Sequence, residues 1–237
     1  MRFGIRLSVI IATMIGLAAG PAVARDAVTI FAAASLKTVL DKIAATLPGQ
    51  VTIAYGGSAT MARQLVQGAE VDIIILAHTD WMDWAEAQGA LATATRCNLV
   101  GNKLVLAGGD GQAELAPETA GDIIERLDGG RLAMGNMQSV PAGQYARAWF
   151  DANGWLADMR PHLAEVQNVR LALSLVGRGE AALGIVYASD VAADPTVRTV
   201  YRIPENAHDP IRYPMALTQD AGPDAPAIAA AIATQID

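Results

Sequence analysis

The chain has 237 residues, of which 52% are hydrophobic and 17% charged, and its 17 Lys and Arg against 24 Asp and Glu give a net charge of −7. An acidic chain without a basic run is a poor partner for nucleic acid or anionic membrane surfaces, because both are bound through clustered Lys and Arg. Cys97 is the only cysteine, which excludes an intrachain disulfide, and we expect it to be a small buried hydrophobic residue.

The first 24 residues have the layout of a secretory signal peptide. Arg2 and Arg6 precede an apolar run over 7–19, and Ala22-Val23-Ala24 supplies small residues where a signal peptidase needs them. The apolar run is shorter than the ~20 residues of a spanning helix, which argues against an uncleaved anchor. We therefore expect residues 1–24 to be removed on export.

Short β-branched runs then alternate with segments rich in Ala and Leu, a pattern typical of an α/β fold. In the first part of the chain it predicts strands over 28–31, 51–55 and 71–77, and helices over 35–46, 58–67 and 81–88. The third strand is continuous in Ile and Leu, which predicts burial on both faces. Gly68 and Gly89 stand just beyond two of the helices, where glycine commonly ends a helix.

The same alternation continues to the C-terminus. It predicts strands over 99–107, 131–134 and 182–186, an extended pair over 197–203 and 211–218, and helices over 119–127, 142–153, 169–178 and 225–236. These elements fit either one large domain or two lobes, because periodicity alone does not show where a chain crosses between lobes.

Several predicted helices follow strands through turns of small residues. Ser35 follows an alanine run, Ser58 follows Gly56-Gly57, and Pro141-Ala142-Gly143 opens a later helix. We expect the two serines at or near helix N-caps, and any one of them is explained by capping alone. Together, helix N-termini at the carboxyl edge of a sheet present free N–H groups and positive dipole ends, which bind anions without Lys or Arg.

A series of ordered motifs between residues 28 and 218 strengthens this interpretation. They include Phe31-Ala32-Ala33-Ala34-Ser35-Leu36, Gly57-Ser58-Ala59-Thr60, Gly101-Asn102-Lys103-Leu104-Val105, Val140-Pro141-Ala142-Gly143-Gln144-Tyr145-Ala146 and Leu183-Gly184-Ile185-Val186-Tyr187-Ala188-Ser189-Asp190. In combination they resemble the periplasmic molybdate-binding protein family of ABC importers. The resemblance implies an α/β, two-lobed, type II periplasmic-binding fold, with mixed sheets, helices on both faces and the ligand in the cleft between lobes. It implies that residues 25–100 and 198–237 form lobe 1, and residues 101–197 form lobe 2.

The resemblance also implies five ligand-binding residues. Ser35 and Ser58 would donate through hydroxyl and N–H groups, Ala142 and Val169 through N–H groups, and Tyr187 through its phenol. All are neutral donors, which suits a fully ionised oxyanion. The implied function is capture of molybdate or tungstate in the periplasm by a monomer, without a cofactor or metal-cation ligand. The bound anion would pass to a membrane-embedded ABC permease with its cytoplasmic ATPase.

The chain departs from the family's pattern at three places. Ile74-Ile75-Leu76-Ala77 replaces Phe-x-Ser-Ala, which predicts the loss of a polar residue near the cleft wall. Gly135-Asn136-Met137 replaces a more usual Asn-Pro or Asp-Pro loop, which leaves the shape of that loop open. The chain stops at Asp237, before an expected further helix and strand, which predicts a less stable first lobe or a truncated product.

Three alternatives remain. Another oxyanion such as sulfate would suit the same donors, whereas phosphate benefits from an acceptor for its proton. A ligand-sensing module for a membrane kinase or regulator is the second. A hydrolase is the third, although no Gly-x-Ser-x-Gly elbow occurs; its candidates would be the serines Ser35, Ser58 and Ser139 with the histidines His78, His162 and His208.

Overall fold

The computed structural model describes residues 27–236, in which two five-stranded sheets are surrounded by helices. In chain order the strands are β1 (Ala27–Ala33), β2 (Gln50–Gly56), β3 (Ile73–Ile75), β4 (Cys97–Gly101), β5 (Leu104–Gly109), β6 (Leu132–Gly135), β7 (Leu163–Val166), β8 (Leu183–Tyr187), β9 (Val197–Arg202) and β10 (Arg212–Leu217). The helices are α1 (Lys37–Ala44), α2 (Ser58–Val66), α3 (Thr79–Ala87), α4 (Ala120–Leu127), α5 (Pro141–Ala152), α6 (Leu156–Met159), α7 (Val169–Gly177), α8 (Ala188–Ala192) and α9 (Ala225–Gln235).

Both sheets are mixed. The first has the order β2-β1-β3-β10-β4, in which β1 runs parallel to β2 and β3, and β10 is antiparallel to its neighbours. The second has the order β7-β6-β8-β5-β9, in which β6 is parallel to β7 and β8, and β5 is antiparallel to β8 and β9. Parallel strands need crossover connections, and helices supply them here. The predicted α/β class with mixed sheets is confirmed.

The chain passes from the first sheet to the second between β4 and β5. Only Asn102 and Lys103 separate these strands, so the single strand predicted over 99–107 is wrong. Both halves are apolar, and a hydrophobic pattern does not record that the chain changes sheets between them.

The chain returns to the first sheet between β9 and β10. The predicted lobe boundary after residue 100 lies next to the first crossing, whereas the boundary at 198 falls inside β9. That strand pairs with β5 of the second sheet, from Val197 against Gly109 to Arg202 against Val105. A division by sheets therefore places the return after Arg202, because strand pairing and not sequence order decides the sheet to which β9 belongs.

The helices cover both faces of the first sheet, and β3 shows why. Ile73, Ile74 and Ile75 are all fully buried, as their continuous apolar run predicts. Ile73 and Ile75 pack with the residues of β1 and α1, while Ile74 packs on the opposite face with Met61 of α2 and Met82 of α3. Successive side chains of a strand point to opposite faces, so one short strand contributes to two layers of core.

Some local features differ from the predictions. A 3₁₀ turn over Ala34–Leu36 precedes α1, and β7, α6 and α8 have no counterpart among the predicted elements. Cys97 is exposed on the edge strand β4, so its expected burial is wrong. No helix within residues 27–236 has the length and apolar character to cross a membrane. The signal peptide predicted over residues 1–24 lies outside the described residues.

Candidate anion-binding site

A small cavity lies between the two lobes, where strands of both sheets end. Its wall includes Ser35, Ser58, Ala142, Val169 and Tyr187, which are the five residues singled out in the sequence. The structure therefore brings all five together, although they come from separate segments. The rest of the wall is formed by Ala33, Ala34, Gly56, Gly57, Ala77, Val140, Pro141 and Asn168.

Four helices begin at this wall. The first residues of α2, α5 and α7 are Ser58, Pro141 and Val169, and α8 begins directly after Tyr187. Proline has no N–H, so the first N–H of α5 belongs to Ala142. The first N–H groups of a helix have no partner within the helix, and they carry the positive end of its dipole. Their convergence gives the cavity a positive potential without a cationic side chain.

The two serines lie next to helix N-caps, as predicted, but neither side chain caps a helix. Gly57 is the N-cap of α2, and Ser35 lies inside the 3₁₀ turn ahead of α1. The Ser58 Oγ instead accepts a hydrogen bond from the Ala77 N–H at 3.0 Å, and the Ser35 Oγ lies 2.9 Å from the Tyr213 Oη. Both serines are buried. Each hydroxyl is thus held in place by a neighbouring group, the Ala77 N–H in the wall for Ser58 and the Tyr213 hydroxyl behind the wall for Ser35.

Tyr187 is a buried phenol with an unused hydrogen. Its side chain is 1% exposed, and its Oη has no hydrogen-bond partner among residues 27–236. Burial raises the pKa of this phenol well above its ordinary value, so the hydroxyl stays protonated. An unsatisfied buried donor costs about 1–3 kcal/mol, and an anion in the cavity would remove that cost.

An ion pair between the partly buried Arg170 and the buried Asp190 lies beside the wall. The Arg170 Nε is 2.7 Å from Oδ1 of Asp190, whose Oδ2 accepts the Tyr187 N–H at 3.2 Å. Arg170 also donates to the Ser35 carbonyl at 3.3 Å and to Thr38 Oγ1 at 3.1 Å, and so connects the lobes. Asp190 is fully buried, and burial raises the pKa of its carboxyl to about 6 although Arg170 opposes the shift. A carboxylate therefore balances the nearest cation.

The charges of this pair stay outside the cavity itself. Among the described residues, the wall contains no Lys, Arg, Asp, Glu or His. Hydrogen-bond donors and helix N-termini are therefore what this wall would offer to an anion.

The lobes are in close contact at Gly57. A Cβ atom there would lie 2.5 Å from the Gln167 carbonyl oxygen of lobe 2. The backbone of Gly57 has φ −68° and ψ 138°, which any residue adopts. Glycine is therefore needed here only because the opposite lobe leaves no room for a Cβ atom. Tyr145 of lobe 2 also stacks on His78 at 4.8 Å between ring centroids and donates to the Ala77 carbonyl at 3.4 Å.

Two departures from the family's pattern are explained by the structure. Leu76 is fully buried in an apolar cluster beneath α2 and α3, while Ala77 lines the cavity, so the substitution at 76 removes no polar group from this wall. In the other departure, Asn136 Oδ1 accepts from the Gln138 N–H and the Ser139 hydroxyl, both at 3.0 Å. This side-chain turn shapes the loop ahead of α5 without a proline.

The arrangement of serines and histidines in the described residues does not resemble the active site of a hydrolase. Within residues 27–236, no hydrogen bond joins a serine hydroxyl to a histidine. His78 caps α3 by accepting the Asp80 N–H at 3.2 Å, and His208 is half-buried against Tyr145. No group of three His, Cys, Asp or Glu in this part of the chain is placed to hold a metal ion.

The residues behind the wall were missed in the sequence. Asn102 and Asp190 stand inside the ordered motifs, which was a signal of their importance but not of their role. Arg170 directly follows the wall residue Val169, and Tyr213 stands in an ordinary-looking strand. Nothing local indicates that their side chains reach the site.

Comparison with known proteins places this site in a family. The family described as "Bacterial extracellular solute-binding protein" matches residues 28–232. The chain is 39% identical over 208 residues to the molybdate-binding protein ModA of Escherichia coli, covering 85% of this chain and 81% of that protein. It is 36% identical over 199 residues to the protein of the same name from Haemophilus influenzae, covering 81% and 78%.

A solved structure has the same fold. The periplasmic molybdate-binding protein of Azotobacter vinelandii superposes with a TM-score of 0.72 at 20% identity, covering 86% of this chain and 92% of that chain. The likeness confirms the two-lobed periplasmic-binding fold. Because the family match spans most of the chain, this protein belongs to the bacterial extracellular solute-binding protein family.

Proposed function

We propose that this protein binds molybdate, or the chemically similar oxyanion tungstate, and delivers it to an ABC importer. The observation that carries the proposal is the convergence of four helix N-termini and three hydroxyl groups on one cavity whose wall has no charged side chain in the described range. Neutral donors surround a fully ionised oxyanion without taking or giving a proton. Two relatives more than a third identical over most of the chain are named as molybdate-binding proteins.

Each wall residue has a role in the proposal. Ser35 and Ser58 of lobe 1 donate their hydroxyl hydrogens, while Ala142 and Val169 of lobe 2 donate backbone N–H groups. Tyr187 donates the phenol hydrogen that is otherwise unused. Because the anion contacts both lobes, it binds the closed arrangement better than an open one and shifts the population toward closure.

The setting of this activity is also proposed. Capture takes place in the periplasm after removal of residues 1–24, by a monomer that presents the closed cleft to a membrane permease with its cytoplasmic ATPase. The anion leaves in the chemical form in which it enters, so the protein acts as a carrier with no cofactor and not as an enzyme.

Sulfate is the principal competing ligand because its oxygens are also acceptors only. Hydrogen phosphate fits the wall less well, since its proton needs an acceptor. Among the described residues, the wall has no carboxylate or imidazole side chain to accept that proton. Discrimination between molybdate and sulfate then depends on anion size.

Calorimetric titration of residues 25–237 with molybdate, tungstate, sulfate and phosphate tests the proposal. Molybdate and tungstate should bind far more tightly than sulfate, and phosphate should bind weakest. At 1,000 times its Kd, a ligand should raise the unfolding free energy by about 4 kcal/mol. The absence of any heat or thermal shift with molybdate or tungstate, in folded and anion-free protein, would contradict the proposal.

A further inference from the structure

A chain of hydrogen bonds leads from the crossing between the lobes to the cavity. Asn102, which lies between β4 and β5, donates from Nδ2 to Ser189 Oγ at 2.8 Å and to Tyr213 Oη at 3.1 Å. The Tyr213 Oη lies 2.9 Å from the Ser35 Oγ. Ser189 belongs to lobe 2 and Tyr213 to lobe 1, so the chain connects both lobes with a wall residue.

The direction of each hydrogen bond follows from the donors available. The Lys103 N–H donates to Asn102 Oδ1 at 2.9 Å, which fixes the orientation of the amide because an N–H needs an acceptor. The Nδ2 group is a donor only, so the Tyr213 oxygen accepts from it. Tyr213 is fully buried, and burial raises the pKa of its phenol, which therefore keeps its hydrogen.

That hydrogen is directed to the Ser35 Oγ, the remaining partner of the phenol. The Ser35 oxygen then acts as the acceptor of this bond, and its own hydrogen is left for the cavity. The Ser58 hydroxyl is oriented in the same way, because its oxygen accepts a hydrogen bond from the Ala77 N–H and its hydrogen is left for the cavity. Both serines of lobe 1 are thereby set as donors before any ligand arrives, and this order does not have to be created on binding.

We propose that Tyr213 is a positioning residue, which holds the Ser35 hydroxyl as a hydrogen-bond donor to the bound oxyanion. Tyr213 does not line the cavity, and its hydroxyl reaches the cavity through Ser35. Its ring packs edge-on against Tyr187 at 6.0 Å between centroids, a contact that phenylalanine keeps. Asn102 sets the direction of the Tyr213 hydroxyl and links it to Ser189 of the other lobe. The inference rests on the proposed function, because it needs an anion that accepts from Ser35.

A double-mutant cycle on molybdate affinity tests this role. Tyr213→Phe keeps the ring and removes the hydroxyl, and should weaken binding about 10-fold, as expected for the loss of an oriented hydrogen bond. In a Ser35→Ala background the same change should alter affinity less than 2-fold, because the hydrogen bond that connects the Tyr213 hydroxyl to the ligand through Ser35 is already gone. Tyr201→Phe, on β9 against Trp149, is the matched control and should bind normally.

The outcomes separate this inference from the proposed function. If the wild-type protein binds neither molybdate nor tungstate, the proposed function fails. If it binds, but Tyr213→Phe binds as wild type or loses the same factor with and without the Ser35 hydroxyl, the positioning role is overturned. A merely structural role would give that equal loss.

A second variant covers the case in which Tyr213→Phe does not fold. Asn102→Asp replaces the amide donor with an acceptor, so the Tyr213 hydroxyl should turn toward it and the Ser35 hydroxyl should turn toward Tyr213. Binding should then fall at least 10-fold with Ser35 present and change much less in Ser35→Ala. An equal loss in both backgrounds would indicate plain charge repulsion and would overturn the inference.

Discussion

The two lobes supply donors of different kinds to the same cavity. Lobe 1 has two serine hydroxyls at the wall, each hydrogen-bonded to a neutral group of the protein, whereas lobe 2 has the helix starts at Ala142 and Val169 and the phenol of Tyr187. A side-chain hydroxyl is removed by one substitution, whereas a backbone N–H remains when the side chain of the same residue is changed. The contribution of lobe 1 thus depends on residue identity, and much of that of lobe 2 depends on where helices begin.

The largest effect is expected from Ser58→Asp. The new carboxylate would face the bound dianion in a cavity that excludes water, where repulsion costs several kcal/mol, so binding should fall about 1,000-fold or more. Folding should survive, because a carboxylate accepts the Ala77 N–H and is favoured in the first turn of α2. Calorimetry measures the affinity, and circular dichroism of the same preparation measures whether the variant is folded. Wild-type affinity in a folded variant would remove Ser58 from the site.

Ser58→Ala and Val169→Ala form a matched pair across the two lobes. Ser58→Ala deletes a charge-assisted hydrogen bond worth about 1.5–3 kcal/mol, so affinity should fall about 10- to 150-fold. It also leaves the buried Ala77 N–H without its acceptor, which should lower the unfolding free energy by about 1–3 kcal/mol. Val169→Ala keeps its N–H and should change affinity less than about 3-fold. Equal losses of affinity would contradict the distinction between the lobes.

Sequence reasoning identified five residues that the structure places in the cavity wall, but not the residues that support them. The wall residues lie in local patterns, a strand end followed by a helix start, which a sequence displays directly. Tyr213 contacts Ser35 across 178 positions, and Arg170 reaches the Ser35 carbonyl across 135, so only the folded chain brings them together. The strand predicted over 99–107 failed for the same reason, since its two halves look alike but join different sheets.

Gly57→Ala tests the meeting of the lobes without deleting a donor. Its Cβ would lie 2.5 Å from the Gln167 carbonyl oxygen, a backbone atom that cannot rotate away, so the lobes must close less tightly. Overpacking of this kind costs about 1–3 kcal/mol, which predicts a loss of affinity of about 5- to 150-fold. Small-angle scattering should show less compaction at saturating molybdate than in wild type.

Gly56→Ala is the control for this change. Its Cβ would meet the flexible end of Met61 in the same lobe at 2.5 Å, so the cost should fall on stability and leave closure intact. Equal compaction and affinity in Gly57→Ala and wild type would show that this contact does not limit closure.

The smallest effect concerns the ion pair that supports lobe 2. The Asp190 carboxyl has a pKa of about 6 in the folded protein against 3.8 as its ordinary value, because burial disfavours the charge more than Arg170 favours it. The folded state therefore holds this proton more tightly than the unfolded state. The resulting stability is fully present below about pH 3.8 and is lost as pH rises through 6.

The new side chain in the Asp190→Asn variant cannot titrate, so the variant should not lose stability in this way as pH rises. Removing the counterion of Arg170 adds a cost that does not change with pH. The unfolding free energy of wild type minus that of Asp190→Asn should fall by about 1–3 kcal/mol between pH 4.5 and 7.5, measured by urea unfolding without anions. Glu125→Gln, on the exposed side of α4, controls for the loss of one negative charge. A difference that rises with pH would mean that Arg170 outweighs burial and that Asp190 is charged throughout. Lobe 2 would then rest on a permanent ion pair, whereas the two serines of lobe 1 rest on neutral groups.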